Sequence, residues 1–127
     1  MTCKKKNSSR IAVVRGDSAY FSFTITDAAG SPFPFVIGED RIRCQVRDKV
    51  NDGDLLFEGE VISEERTAGG KTQLTHVWHI KPSDTRDADM TKRYVYDIEV
   101  ELANGDIFTF IKASPFLILD EVTLPEE

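Results

Sequence analysis

The residues whose types and spacing could support chemistry fall into four small groups. His76 and His79 stand three apart, a spacing that lets two imidazoles share a metal on one helix face. Gln73 to Ile80, however, reads as a strand, where a period of two sends positions three apart to opposite faces. The pair is therefore no metal site: His76 belongs at the core edge beside Trp78, and His79 faces water. Asp48, Asp52 and Gly53 outline a calcium loop, but with Gly53 in the sixth place Val50 takes the third and Gly59 the twelfth. Those places require oxygen ligands, so the match fails. Arg15-Gly16-Asp17-Ser18 is the tetrapeptide by which some extracellular proteins bind integrins, but between two β-like runs it reads as a turn. Asp84, Asp87 and Asp89 form an acidic cluster with no ligand spacing, which reads as solvated loop.

No nucleophile elbow, phosphate loop or zinc-ligand spacing occurs in the chain. We therefore expect no enzyme, no catalytic residue, no cofactor and no metal site. An uncharacterised hydrolase assembled from distant Ser, His and Asp residues ranks last among the readings.

The 127 residues suit one domain, with an ordered core over about 10–120 and tails at 1–9 and 121–127 expected to be flexible. Lys and Arg total 16 against 22 Asp and Glu, a net charge of −6. That sign argues against nucleic acid, which needs a concentrated positive field, and Lys4-Lys5-Lys6 is too short a run to supply one. No apolar stretch reaches membrane-span length, and the polar Asn7-Ser8-Ser9-Arg10 stands where a signal peptide would have its apolar region. No membrane partner is expected, and the expected location is the cytoplasm. Cys3 and Cys44 are the only cysteines, too few for a disulfide framework, and Cys44 falls at an inward strand position.

The elements that must position these groups are strands. Phe21, Phe23 and Ile25 alternate with Ser22, Thr24 and Thr26, and a short β-branched run, Ile11 to Val14, precedes them. Ser31-Pro32-Phe33-Pro34-Phe35 reads as an extended crossover whose phenylalanines cover the core end, because its prolines lack ladder donors. Arg41, Arg43 and Arg47 line the wet face of the next strand, opposite Glu58 and Glu60 on the strand from Leu55 to Ser63. Glu64 to Thr72 reads as a loose loop, and Gln73 to Ile80 returns. Ser83 could cap a helical turn running to Met90. Arg93 to Leu102 alternates most clearly, Asn104-Gly105 suits a type I′ turn, and Ile107–Lys112 and Phe116–Leu119 close the chain. About eight short strands without a helix of crossover length predict an all-β antiparallel sandwich or open barrel, with at most one helical turn near 83–90.

The order of features resembles a known group. Arg15-Gly16-Asp17, the strand Phe21 to Asp27, Gly30-Ser31-Pro32, Val46-Arg47, the corner Pro82 to Thr85, the strand Tyr94 to Val100, Asn104-Gly105-Asp106 and Glu121-Val122-Thr123 follow one another over residues 10 to 123. This resembles the small immunoglobulin-like β-sandwich domains of phage and prophage structural proteins, including the N-terminal domains of upper-baseplate proteins. The phenylalanine-rich crossover at Phe33 and Phe35 departs from that pattern.

The resemblance implies a non-enzymatic structural or assembly protein of a tail or baseplate, in the host cytoplasm during assembly or in the virion. Its partners would be other virion or tail proteins, or further copies of itself. The interaction surfaces expected are the Arg41, Arg43 and Arg47 row, or the end strands carrying Ile11, Val13, Phe116 and Leu117. The rival reading is a carbohydrate-binding sandwich using Trp78, Tyr20 or Phe33 as an exposed aromatic. A planar exposed ring favours sugar; an open sheet edge favours assembly.

Overall fold

The computed structural model describes residues 10–48 and 53–120, so the tails and the centre of the 49–52 loop, with Asp52, Cys3 and the basic run, lie outside it. Its strands are β1 (Ile11–Val14), β2 (Ala19–Phe23), β3 (Arg41–Arg47), β4 (Leu55–Ala68), β5 (Lys71–Ile80), β6 (Tyr94–Glu101) and β7 (Ile107–Leu119). A five-residue helix, α1 (Pro82–Arg86), stands between β5 and β6. No helix among the described residues is long and apolar enough to cross a membrane.

The strands join in the order β1-β7-β6-β3-β4-β5-β2. All pair antiparallel except β1, which runs parallel to β7. The sheet is folded in two along β4. Its first part pairs with β3, ending at Cys44↔Gly59, and its second part pairs with β5, starting at Glu60↔His79. Trp78, from β5, packs across the resulting sandwich against Tyr96 and Phe116, with ring centroids 5.7 and 5.9 Å away. Phe23 meets Phe110 in the same way at 5.6 Å.

Alternation explains who is inside. Cys44, Val46, Trp78, Ile80, Tyr96, Ile98, Val100 and Ile111 are completely buried. Phe33 is buried against Phe108, and Phe35 packs edge-on to His76, so the proline-rich crossover covers the core as its composition suggested. Gly59 has a different reason to be what it is. A Cβ built there would overlap the indole Nε1 of Trp78, so only glycine lets β4 pass over that ring.

The order is that of an immunoglobulin-like sandwich. β2, β5 and the second part of β4 take the B, E and D places, and β3, β6 and β7 take the C, F and G places. Tyr94 opens β6 and its hydroxyl accepts the backbone N–H of Asp89 at 3.0 Å, the tether known as a tyrosine corner.

Several expectations need correction. The last two strands are one, β7, which continues through Pro115. The ladder to β1 begins only at Phe116, so the missing proline donor falls where β7 is paired on one side alone. A kink at Ala113, with φ 45°, absorbs the irregular register, and the Asp97 carboxylate accepts its N–H. The run from Glu64 to Thr72 is no loose loop, since β4 and β5 stay paired to Ala68↔Lys71 around Gly69 and Gly70. Both glycines have positive φ, 60° and 78°, the requirement of a tight type I′ hairpin. At Leu102–Asp106 only Gly105 has positive φ, so that hairpin has a longer loop than the Asn-Gly pair suggested. The strand expected to reach Thr26 ends at Phe23, and Thr26 makes an isolated bridge to Pro32. Lys81, not Ser83, caps α1: its N–H donates to Asp84 Oδ2 at 2.8 Å, with Pro82 in the first turn.

Two substitutions test this packing. Phe23→Ala should cost about 3–5 kcal/mol of unfolding free energy, and Gly59→Ala about 2–3 kcal/mol through overpacking. Urea melts measure both. An unshifted midpoint for Gly59→Ala would mean that β4 does not cross Trp78 as described.

Candidate functional site

The structure separates the residues that the sequence nominated. Arg43 lies between Glu58 and Glu101, with N–O distances of 3.6 and 3.9 Å. Arg47 is turned to the β3–β4 loop, donating to the Gly53 carbonyl at 3.2 Å and to Gln45 Oε1 at 3.0 Å. Glu60 does not meet the arginine row, because it lies beyond the fold of β4 and pairs with Lys81 at 2.7 Å. That contact holds the Glu60 carboxyl below its usual range and raises the Lys81 ammonium. Arg41 alone of the three is exposed and without an ion pair among the described residues. The row on β3 is thus not a continuous cationic face, because Glu58 and Glu101 flank Arg43 and Arg47 turns to the β3–β4 loop.

The end-strand candidates also divide. Phe116 is 1% exposed, a core residue, and is the position of β7 that pairs with both β1 and β6. β7 is therefore not the last strand of the sheet, although Leu117 to Leu119 pair with β1 alone and stay open on the other side. β1 is an edge, but the side chains of Ile11 and Val13 point into the core. What β1 offers is its backbone. The opposite end of the sheet is β2. Folding along β4 brings these two ends to the same side of the sandwich, joined by the turn at Arg15 to Ser18. Thr85 Oγ1 on α1 accepts the Gly16 N–H at 2.9 Å and pins that turn in place.

Between the two edges lies a cleft of about 230 Å³, lined by Ile11, Val13, Ala19, Phe21 and Ile80, with Arg10 and Tyr20 at its margin. Neither edge strand contains a charged residue or a proline: β1 reads Ile-Ala-Val-Val and β2 Ala-Tyr-Phe-Ser-Phe. Sheets ordinarily blunt their edges with such residues or by shortness; these two edges, four and five residues long, carry no blocking residue. Tyr20 is 68% exposed and stacks on His79 from the neighbouring strand, with centroids 4.5 Å apart and planes 7° from parallel. Tyr20↔His79 is a register pair, which local sequence could not reveal. Trp78 and Phe33, the other aromatics considered for a sugar platform, are buried.

The histidines diverge as strand geometry requires. His79 sits outside against Tyr20, whereas His76 is buried, with Nδ1 2.7 Å from Ser63 Oγ and its ring flanked by Phe23 and Phe35. Burial among these rings lowers the His76 pKa to about 4. Cys44 is a free, buried thiol whose pKa is pushed up by burial and by the nearby charge of Glu58. No group of three or more His, Cys, Asp or Glu side chains that could hold a metal occurs among the described residues. Asp84 and Asp89 are instead engaged locally, Asp84 in capping α1 and Asp89 in bonding Thr91. Asp48 pairs with Lys92 at 3.3 Å.

The fold defines a class: a β-sandwich module of immunoglobulin-like strand order with an open sheet edge at β1 and β2. No protein-family model matches the chain, and no curated protein matches it. Solved structures similar to it include two of different kinds. The BTLA ectodomain shares 10% identity over 94% of this chain and 97% of that one, with a TM-score of 0.48. The sialic-acid-binding region of an adhesin from Streptococcus sanguinis SK1, bound to 3'sLn, shares 17% identity, with a TM-score of 0.46. That likeness covers 99% of this chain, which spans only 32% of the adhesin structure. The strand order, not these likenesses, carries the fold assignment.

Two measurements check the histidines. With a folded pKa near 4 against an ordinary value near 6.5, the unfolded chain binds the extra proton between those limits. His76 should therefore leave stability intact above about pH 6.5 and remove up to about 3 kcal/mol as pH falls toward 4. His76→Leu should flatten that part of the pH profile of urea midpoints; parallel profiles would place the imidazole in water. Because His76 and His79 face opposite ways, EDTA should leave the melting temperature unchanged.

Proposed function

We propose that this protein is a non-enzymatic assembly module of a phage or prophage tail or baseplate, working by protein–protein contact at the edge between β1 and β2. The observation that carries the mechanism is the pair of edge strands, free of blocking residues, that border one apolar cleft. The assignment to a tail or baseplate is supported by the ordered motifs from Arg15-Gly16-Asp17 to Asn104-Gly105-Asp106. In this reading the protein resides in the host cytoplasm during assembly and then in the virion, and its partners are virion proteins or further copies.

The physics of capture is strand addition. A partner strand laid along β1 or β2 satisfies N–H and C=O groups that otherwise face water, each bond contributing about 0.5–1.5 kcal/mol net. Alternate side chains of that strand enter the cleft beside Phe21 and Ile80, adding apolar burial at roughly 25 cal/mol per Å². Tyr20, held by His79, offers a ring that is already ordered, so little side-chain entropy is lost on contact.

The same ring supports a second reading. Tyr20 is an exposed planar aromatic at a sheet edge, the kind of surface on which a sugar ring stacks, and a carbohydrate-binding module would use it.

The two readings separate experimentally. Ala12→Lys and Ser22→Lys place charges on exposed edge positions without touching the core, and should abolish self-association in light scattering or capture of identified virion proteins from a phage-induced lysate. No turnover should accompany either activity. A strict monomer that captures no virion protein but binds a glycan array, with binding lost in Tyr20→Ala, would transfer the assignment to the carbohydrate module.

A further inference from the structure

The loop between β6 and β7 carries a reactive pair that the assembly role does not use. The chain has asparagines at positions 7, 51 and 104, and only Asn104 precedes a glycine. Asn104 and Gly105 are both exposed. A Cβ built on Gly105 would meet no atom within 4 Å, so the peptide after Asn104 is open to water. The Asn104 side chain spans that glycine: its Oδ1 accepts the Asp106 N–H at 2.9 Å, and its Nδ2 donates to Asp106 Oδ2 at 3.3 Å. The first bond places a backbone donor on the oxygen where negative charge develops when the amide carbon is attacked. One bond restrains such an attack. The Gly105 nitrogen is the adjacent nucleophile, and its N–H donates to the Leu102 carbonyl at 2.9 Å. That bond lies in an exposed loop beyond the end of the ladder, where local opening costs least.

The surroundings give a change at Asn104 a consequence. The Asp40 carboxylate ties the crossover that follows β2 to this loop, accepting the Val36 N–H at 2.7 Å and the Ala103 N–H at 2.8 Å. Asp40, Asn104 and Asp106 line one recess of about 390 Å³, together with Pro34, Leu102 and Phe108. An amide at residue 104 donates to its carboxylate neighbour, whereas a carboxylate there has no donor and repels both.

We propose that Asn104 is a self-modification site, at which the Gly105 nitrogen displaces the side-chain amide and the new carboxylate loosens the Asp40 tie. Opening of the loop frees the Gly105 N–H, hydroxide takes its proton, and the nitrogen bonds to Asn104 Cγ. Collapse of the resulting oxyanion breaks the Cγ–Nδ2 bond, and Nδ2 leaves as ammonia after taking a proton from water. Water then opens the cyclic imide. Attack at Cγ gives aspartate and restores the chain; attack at the main-chain carbonyl of residue 104 leaves the chain running through Cγ, as isoaspartate. No oxidant or reductant takes part. The site is separate from the β1–β2 edge, and either can fail without the other.

The test ages the full folded chain in buffer at neutral and mildly alkaline pH and follows it by peptide mapping with mass spectrometry. Asn104 should lose its amide severalfold faster than Asn7 and Asn51, give both aspartate and isoaspartate, and react faster as pH rises. Asn104→Gln keeps the amide but must close a larger ring, so it should stay unmodified. In the converted fraction, separated by its added negative charge, amide hydrogen exchange at Ala103 and Val36 should quicken roughly two- to fivefold, and less at high salt. Aspartate without isoaspartate would show direct hydrolysis and overturn the proposal. Conversion at Asn104 in the urea-unfolded chain but not in the folded one would also overturn it, because the Leu102 bond would then lock the nitrogen. Unchanged exchange at Ala103 and Val36 would overturn the loosening of the Asp40 tie.

Discussion

The structure depends on one contact, the indole of Trp78 lying on the backbone of Gly59. β4 belongs to both layers of the sandwich, and it changes layer beside that glycine. Trp78 is the largest completely buried side chain and touches Phe57, Tyr96 and Phe116, which come from three strands of the opposite layer. A side chain at residue 59 would hold the indole away and separate those strands. Once the sheet folds there, its ends must come round to the far side. The open edge is therefore a consequence of how the core closes, not an independent feature of β1 and β2.

A second set of contacts fixes what the core leaves loose. α1 has only five residues, too few to be stable alone, yet its Thr85 is completely buried and bonds Gly16, which is 69 residues away in sequence. The same connection carries Asp89, four residues further on, whose N–H the Tyr94 hydroxyl accepts. One short segment thus holds the turn between the edge strands on one side and the start of β6 on the other. The Arg15-Gly16-Asp17 turn has a sufficient structural explanation in this arrangement. Gly16 supplies a positive φ of 82°, and its N–H is taken by the threonine.

Much of the fold was legible because burial imposes a period of two. Phe23, Trp78 and Ile98 were assigned inward from alternation, and the divergence of His76 and His79 followed from the same geometry. Failures came where a non-local partner decides the outcome. Pro115 read as a strand break, but a strand tolerates proline where a neighbouring ladder has not begun, and only the register of β1 reveals that. Phe116 and Leu117 read as an edge because they end the chain, whereas Phe116 pairs with both β1 and β6 and only Leu117 keeps one side open. The Tyr20–His79 stack depends on register between strands far apart in sequence. Gly59 did carry a local signal, an isolated glycine inside a strand pattern, which points to close backbone approach.

The position of the two edges restricts what assembly through them could look like. β1 and β2 are different strands, so contact of β1 on one copy with β2 on the next is heterologous, and it propagates unless the rotation closes a ring. Contact of like edges is isologous and stops at a dimer. Both edges border one cleft, so a strand seated at either crowds the other. That geometry disfavours a chain of copies using both edges at once and favours a single occupant, whether an identical edge or a foreign strand. Net negative charge acts in the same direction, because copies of charge −6 repel at long range while a short-range ladder still forms once a complementary strand is aligned. Edges without a blocking residue are then tolerable: repulsion slows indiscriminate pairing, and the one-sided cleft has room for one strand.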